Sequence, residues 1–209
     1  MGRIRKIKNA ETLIKDYPQI ISTLDKKNLA NCLEVEIGSG KGNFLINKAI
    51  NNPTITYIGV ERDSTILLKA LRKLDLLITK PSNLFFIHGD VIDICKWFNR
   101  NSVSIFYLNF PDPWPKKRHE KKRLTNNAYL KLYYDLLIKN GTIEFKTDNL
   151  GLYEYSLDSL RSFRKLQIQY KTIDMYSDLD RLKNNIQTEY EQKFVHQNIK
   201  IKKIELIKN

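Results

Sequence analysis

Runs with strand periodicity alternate with runs of helical spacing from about residue 32 to residue 160, and few architectures accept that order. Cys32–Ile37 reads as a short strand ended by a glycine cluster, and a helix pattern follows from Phe44 through Ile50. Thr56–Val60 is a second strand. Asp63 then caps a helix whose Leu67, Leu71, Leu74 and Ile78 recur at the spacing of one buried face. Leu84–Ile87 and Val103–Leu108 give strands three and four. Tyr129, Leu132, Tyr133 and Leu136 mark a helix expected to stop at Asn140-Gly141, with a fifth strand over Thr142–Lys146. Tyr153, Leu157 and Leu160 mark one more helix. Leu166–Ile173 and Val195–Ile207 read as two final strands with no well-formed helix between them.

Such alternation predicts an α/β fold: a mostly parallel sheet with helices on both faces. Ligands of these sheets bind beyond the carboxyl ends of the strands, where strand order reverses. Gly38, Glu61, Asp90, Asp112 and Asp148 all fall at or just past predicted strand ends. These are the candidate site positions.

A chain of 209 residues suits a single domain. Its 36 Lys and Arg against 23 Asp and Glu leave a formal charge of +13, which favours a polyanionic partner through counterion release. The competing explanation is a solvated basic surface that keeps the protein in solution. Cys32 and Cys95 form neither a CxxC pair nor a Cys/His ligand spacing, so no disulfide framework and no metal are expected. No run has the length of a membrane span, and MGRIRKIKNA lacks a signal peptide's apolar stretch. The expectation is a cytoplasmic protein without membrane association.

The loop Glu36-Ile37-Gly38-Ser39-Gly40-Lys41-Gly42 joins the first strand to a helix. Glycines let such a backbone turn tightly and approach a ligand closely. A phosphate-binding GxxxxGK[ST] loop does not fit, because Val35 stands where its first glycine belongs and Gly42 replaces the metal-binding hydroxyl. A dinucleotide GxGxxG loop fits poorly, since position 43 is Asn. A nucleoside without phosphate fits better. Glu36 repels a pyrophosphate and attracts a cationic α-amino group, which S-adenosylmethionine carries beside its sulfonium. Glu61 can accept two ribose hydroxyls, and Asp90 can meet the adenine edge. Any one of these acids could be a mere helix cap, and any glycine turn purely structural. Their shared placement at strand ends favours the ligand.

Asn109-Phe110-Pro111-Asp112-Pro113-Trp114-Pro115 follows the fourth strand, and its prolines stiffen the loop. Six cations and one histidine follow within the eight residues Lys116–Arg123. A rigid acidic and aromatic point beside a cationic arm suits a base held in a pocket with its phosphates gripped outside. A solvated charge run after a structural turn is the plainer alternative.

Taken together, EIGSGKGNF, FPDPWPKKRHEKKRL, EFKTDN and TEYE resemble the bacterial tRNA (guanine-N7)-methyltransferases, and the start RIRKIKNAE is similar to that family's N-terminus. The resemblance spans almost the whole chain in one order. It implies a Rossmann-like class I methyltransferase with a seven-stranded, mostly parallel sheet, its last strand antiparallel. Residues 1–30 would be a basic N-terminal extension with a short helix, and 31–209 the methyltransferase domain. By the same resemblance Glu36, Gly38, Glu61, Asp90 and Asp112 would contact S-adenosylmethionine, the product being S-adenosylhomocysteine. Asp112 would be the catalytic carboxylate. Lys116, Asp148, Thr188, Glu189, Tyr190 and Glu191 would bind substrate, while Arg118, His119, Glu120, Lys121, Lys122 and Arg123 would meet tRNA. The family's target is the guanosine at position 46 in the tRNA variable loop, and a monomer or homodimer is expected.

Guanine N7 already offers an in-plane lone pair, so no general base is required and positioning matters most. Asp112 is expected to orient the guanine and Trp114 to shape the loop or stack. Asp148 and Glu191 are expected to accept from guanine N1 and its exocyclic amine. His119 reads as a phosphate or stacking contact, while His88 and His196 read as structural residues in strands. Three rivals stand beside this reading. A nicotinamide-dependent oxidoreductase leaves the Asp-Pro-Trp loop unexplained, and a non-enzymatic RNA-binding domain leaves the strand-end acids unexplained. An amino-group methyltransferase expects [DN]PP[YFW], and Asp112-Pro113-Trp114 is one proline short.

Overall fold

The structure, a computed structural model, describes residues 5–22 and 32–209. Seven strands make one sheet: β1 (Leu33–Ile37), β2 (Thr56–Glu61), β3 (Leu84–His88), β4 (Val103–Asn109), β5 (Leu137–Thr147), β6 (Leu166–Thr172) and β7 (Lys202–Lys208). Their order is β3-β2-β1-β4-β5-β7-β6. Pairs from β3 through β5 are parallel, and β7 runs antiparallel to both β5 and β6. Order reverses between β1 and β4, so the crevice expected of such a sheet opens there. The final antiparallel strand agrees with the architecture read from the sequence.

The helices are α1 (Ala10–Leu13), α2 (Asn43–Asn51), α3 (Ser64–Asp75), α4 (Ile94–Trp97), α5 (Asn127–Leu136), α6 (Leu150–Ser162), α7 (Leu179–Leu182) and α8 (Glu189–His196). Side chains alternate across the sheet and divide the apolar interior in two. Val35, Ile58, Phe106, Ile143 and Phe145 pack with α4, α5 and α6 on one face. Tyr57, Phe86 and Tyr107 pack with α1, α2 and α3 on the other. At roughly 25 cal/mol per Å² of apolar area removed from water, these two layers are the main stabilising contribution. The N-terminal segment joins the second layer through buried Ala10 and Ile14. Of the extension expected over 1–30, residues 1–4 and 23–30 lie outside the described residues. None of the described helices is long and apolar enough to cross a membrane.

The second face changes character along the sheet. Register places Glu36 beside Tyr107, Tyr107 beside Glu144, Asn109 beside Lys146, and Glu144 beside Glu205. That half of the face is therefore polar, and the segment bearing α7 and α8 covers it. Lys203 bridges Glu144 at 2.9 Å and Glu205 at 2.7 Å, and Arg181 also pairs with Glu205, so two cations balance the two carboxylates.

Four sequence expectations need correction. Ile78 lies beyond the end of α3 and is fully exposed, because the helix stops at Asp75; Leu67, Leu71 and Leu74 are buried as expected. Helix α5 ends at Leu136, and Asn140-Gly141 sits inside β5 at a register shift, with Asn140 left-handed at φ 62. Val195 and His196 belong to α8, and the last strand begins only at Lys202. The connection between β6 and β7 therefore holds a real helix. A capping box starts it: Thr188 Oγ1 accepts from Glu191 N–H, and Glu191 accepts back from Thr188 N–H.

Candidate active site

The glycine loop begins directly at the end of β1, and all three of its glycines, Gly38, Gly40 and Gly42, are left-handed. A Cβ strains that conformation, which accounts for the residue type. Gly38 N–H and Ser39 N–H both donate to Val60 O, pinning the loop against β2. Gly59 allows the approach: a Cβ there would stand 2.7 Å from Ser39 Oγ and 2.6 Å from the Phe86 ring.

Three acids line the crevice on neighbouring strand ends. Glu36 is 3% exposed; Asn109 Nδ2 donates to its Oε1 at 2.8 Å, and its Oε2 has no partner among the described residues. Burial pushes its carboxyl up to about 8, against the pull of Asn109 and Lys146. Ser39 Oγ and Asn109 Oδ1 are likewise buried without partners. Groups of this kind cost free energy until something satisfies them. Glu61 accepts from Gly40 N–H at 3.1 Å and Asp63 N–H at 2.9 Å, so the same carboxylate steadies the loop and faces the crevice. Burial raises its carboxyl above the ordinary value. Asp90 Oδ1 accepts from Ile92 N–H at 3.1 Å, capping the 3-10 turn after β3. One oxygen of Asp90 thus does the capping job that the plain alternative assigned to it.

Beyond β4 the Asp-Pro-Trp loop is held at both ends. Phe110 and Trp114 are left-handed at φ 49 and φ 43, a costly state for bulky side chains and doubly so here, because each precedes a proline. Phe110 N–H donates to Lys146 O, and its ring packs on Phe194 at 5.7 Å. Arg123 donates to Pro113 O at 3.1 Å and through Nη2 to Trp114 O at 3.0 Å, and its guanidinium stacks 4.2 Å from the Tyr155 ring. Trp114 meets His119 edge-on at 5.5 Å and Lys122 Nζ at 4.8 Å. Asp112 is exposed between these ends, with Arg62 Nη2 3.9 Å from its Oδ2.

The structure sorts the expected substrate and RNA residues. Lys116, Arg118, Lys121 and Lys122 project outward, while His119 and Glu120 are partly covered. Arg123 is instead spent on the loop's carbonyls. Asp148 follows β5 directly and is partly exposed, and its carbonyl accepts from Lys202 Nζ at 2.8 Å. Glu191 departs from expectation: it is 0% exposed, and its carboxylate accepts from Lys146, Tyr176 and Asn185 at 3.1, 2.9 and 2.7 Å. A carboxylate so enclosed has no free face for guanine. It anchors α8 to β5. Glu189, with 35% of its side chain exposed, is bonded to Lys41, Asn43 and Lys73. Tyr190 is partly exposed, with Lys41, Asp112, Glu189 and Glu61 as its charged neighbours.

Sequence reasoning missed Asn109, Lys146 and Arg62. Lys146 sits at a strand end of mixed polarity, Thr142-Ile143-Glu144-Phe145-Lys146-Thr147, and its partner lies 45 residues away, so nothing local marked it. A cleft of about 410 Å³ lined by Leu13, Tyr17, Leu68, Arg72 and Asp75 contains none of the expected site residues.

This strand order, with its glycine loop and strand-end acids around the reversal point, defines a class I methyltransferase fold. The 16S rRNA methyltransferase KamB superposes with a TM-score of 0.64 at 9% identity, covering 99% of this chain and 97% of that one. A family model described as "Putative methyltransferase" matches residues 30–204. A Mycoplasma pneumoniae tRNA (guanine-N(7)-)-methyltransferase is 42% identical, with 99% of each chain covered. One from Lysinibacillus sphaericus is 40% identical, covering 92% of this chain and 91% of its own. The chain belongs to the tRNA (guanine-N(7)-)-methyltransferase family.

Proposed function

We propose that this protein methylates N7 of a guanosine in tRNA, at position 46 of the variable loop, using S-adenosylmethionine in the cytoplasm. Membership of the family supports the reaction. The observation that carries the cofactor is the buried Glu36 Oε2, which has no donor among the described residues and lies at the point where strand order reverses. An α-amino group would satisfy that oxygen and favour its ionised form. Glu61 would take the ribose hydroxyls on lone pairs its two backbone bonds leave free. Asp90 would reach the adenine edge with the oxygen not used in capping.

S-adenosylmethionine supplies a methyl group activated by a sulfonium. The protein supplies placement, because guanine N7 needs no base to become nucleophilic. Asp112, on its strained and clamped loop, would touch the guanine edge and favour the positive charge that arrives on the purine ring. Tyr190 would lie against the base or the nucleoside at the crevice mouth. Asp148 would accept from the guanine's Watson–Crick edge, and Lys116, Arg118, Lys121 and Lys122 would grip phosphates. With Glu191 enclosed, guanine selection falls to Asp148 and Tyr190.

Calorimetry separates this reading from the nicotinamide rival. Saturable binding of S-adenosylmethionine without binding of NAD is expected; binding of NAD alone would overturn the proposal.

A further inference from the structure

Helix α8 touches the rest of the site at three points. Phe194 packs on Phe110 of the Asp-Pro-Trp loop, and Glu191 pairs with Lys146 on the sheet. The third point is Glu189, the first residue of α8, which reaches the other side of the crevice. Its Oε2 accepts from Lys41 Nζ at 3.0 Å, inside the glycine loop. Its Oε1 accepts from Asn43 Nδ2 at 2.7 Å, at the start of α2, and from Lys73 Nζ at 2.6 Å, in the last turn of α3. Lys73 also donates to Asn43, closing the cluster.

We infer that Glu189 is a positioning residue, a strut that sets the glycine loop and the base-facing helix α8 at a fixed separation and so couples the cofactor and RNA sites. This deepens the proposed function and rests on it for the identity of the two ligands. The bonding leaves Glu189 little capacity for substrate: three donors, one each from the glycine loop, α2 and α3, occupy its carboxylate. The neighbouring side chains diverge as a strut requires. Tyr190, one residue on, is 41% exposed and has Asp112 and Glu61 among its charged neighbours. Glu191, two residues on, points into the polar interior. A displacement of α8 therefore moves Tyr190 and the glycine loop together. Burial alone would push the Glu189 carboxyl up, but Lys73 and Lys41 outweigh it and hold it below the ordinary value, so the strut is charged at neutral pH.

Two measurements test the strut, and the first needs no ligand. Hydrogen exchange on the full-length protein should show amides of residues 40–46 and 189–194 both exchanging faster in Glu189→Ala, with the thermal midpoint nearly unchanged. A residue that only contacts substrate would leave exchange at 40–46 as it was, and that result overturns the inference. The second is binding of S-adenosylhomocysteine without tRNA, which should weaken by about fivefold to tenfold in Glu189→Ala. Glu189→Gln, which keeps an acceptor oxygen toward Asn43 and Lys73, should lose clearly less than Glu189→Ala. An unchanged cofactor Kd with only tRNA KM raised, or equal losses in the two variants, would make Glu189 a substrate contact instead. Should the wild-type protein bind no S-adenosylhomocysteine, the proposed function fails, while the exchange result still decides the strut.

Discussion

Asn109 donates to one oxygen of the buried Glu36 carboxylate at 2.8 Å and leaves the other without a donor. Asn109 thereby fixes the orientation of the group while supplying less than it needs. The protein carries this cost at the place where a cationic ligand would remove it.

The cost should appear as a pH dependence of stability. The folded carboxyl sits at about 8, above its unfolded value near 4.5, so the folded state keeps a proton that the unfolded state has lost. Ligand-free wild type should therefore lose stability relative to Glu36→Gln as pH rises from 5 to 8, by on the order of 3 kcal/mol. Urea unfolding at several pH values measures it. A difference that stays flat across that window would mean Glu36 is ionised in the folded protein.

The same group predicts the pH dependence of cofactor affinity. Binding an ammonium favours ionised Glu36 and expels its proton, so affinity should rise by up to about tenfold per pH unit between pH 6 and 7.5. Glu36→Gln should remove most of the affinity and all of that slope. Calorimetry in buffers of different ionisation enthalpy would count the released proton directly.

Asp112 should act through placement. Asp112→Ala is expected to lower kcat on the order of 100-fold with cofactor Kd within about twofold, whereas Asp112→Asn, which keeps one acceptor oxygen, should lose less. Wild-type turnover in the alanine variant would remove Asp112 from the mechanism.

The basic stretch should divide into two roles. Neutralising Lys121 and Lys122 to Gln should reduce the slope of log affinity for tRNA against log salt by roughly 1.5 to 2. Arg123→Gln should leave most of that slope and lower turnover, because its guanidinium holds the Pro113 and Trp114 carbonyls. Equal slope losses from all three positions would mean Arg123 is one more phosphate contact.

The buried Lys146–Glu191 pair, 3.1 Å apart, makes a stability prediction. Lys146→Met strands a carboxylate with 0% exposure and should cost about 3–5 kcal/mol. Adding Glu191→Gln removes the stranded charge and should recover part of it, as denaturant titration would show. An additive double variant would mean the pair does not interact.

Much of this was legible in the chain. The spacing of Leu67, Leu71 and Leu74 gave a true buried face, and Asp63 capped its helix as read. Glu36, Glu61 and Asp112 were placed correctly at strand ends because periodicity locates an end well. What failed was non-local. Ile78 continued the helical spacing after the helix had stopped, since a count cannot see where packing ends. Val195 looked like strand because the capping box of Thr188 and Glu191 sat within a motif read for binding. Arg123 and Glu191 were read as contacts from the family resemblance; the partners the structure gives them, Trp114 and Lys146, depend on tertiary folding.

The central claim is a methyl transfer to one atom of one base. Unmodified tRNA carrying a guanosine at variable-loop position 46 should be incubated with the protein and S-adenosylmethionine, then digested and read by nucleoside mass spectrometry. The account predicts 7-methylguanosine, about one per tRNA at completion, and none when position 46 is adenosine. Methylation on an exocyclic amine, or none by folded protein that binds the cofactor, would contradict it.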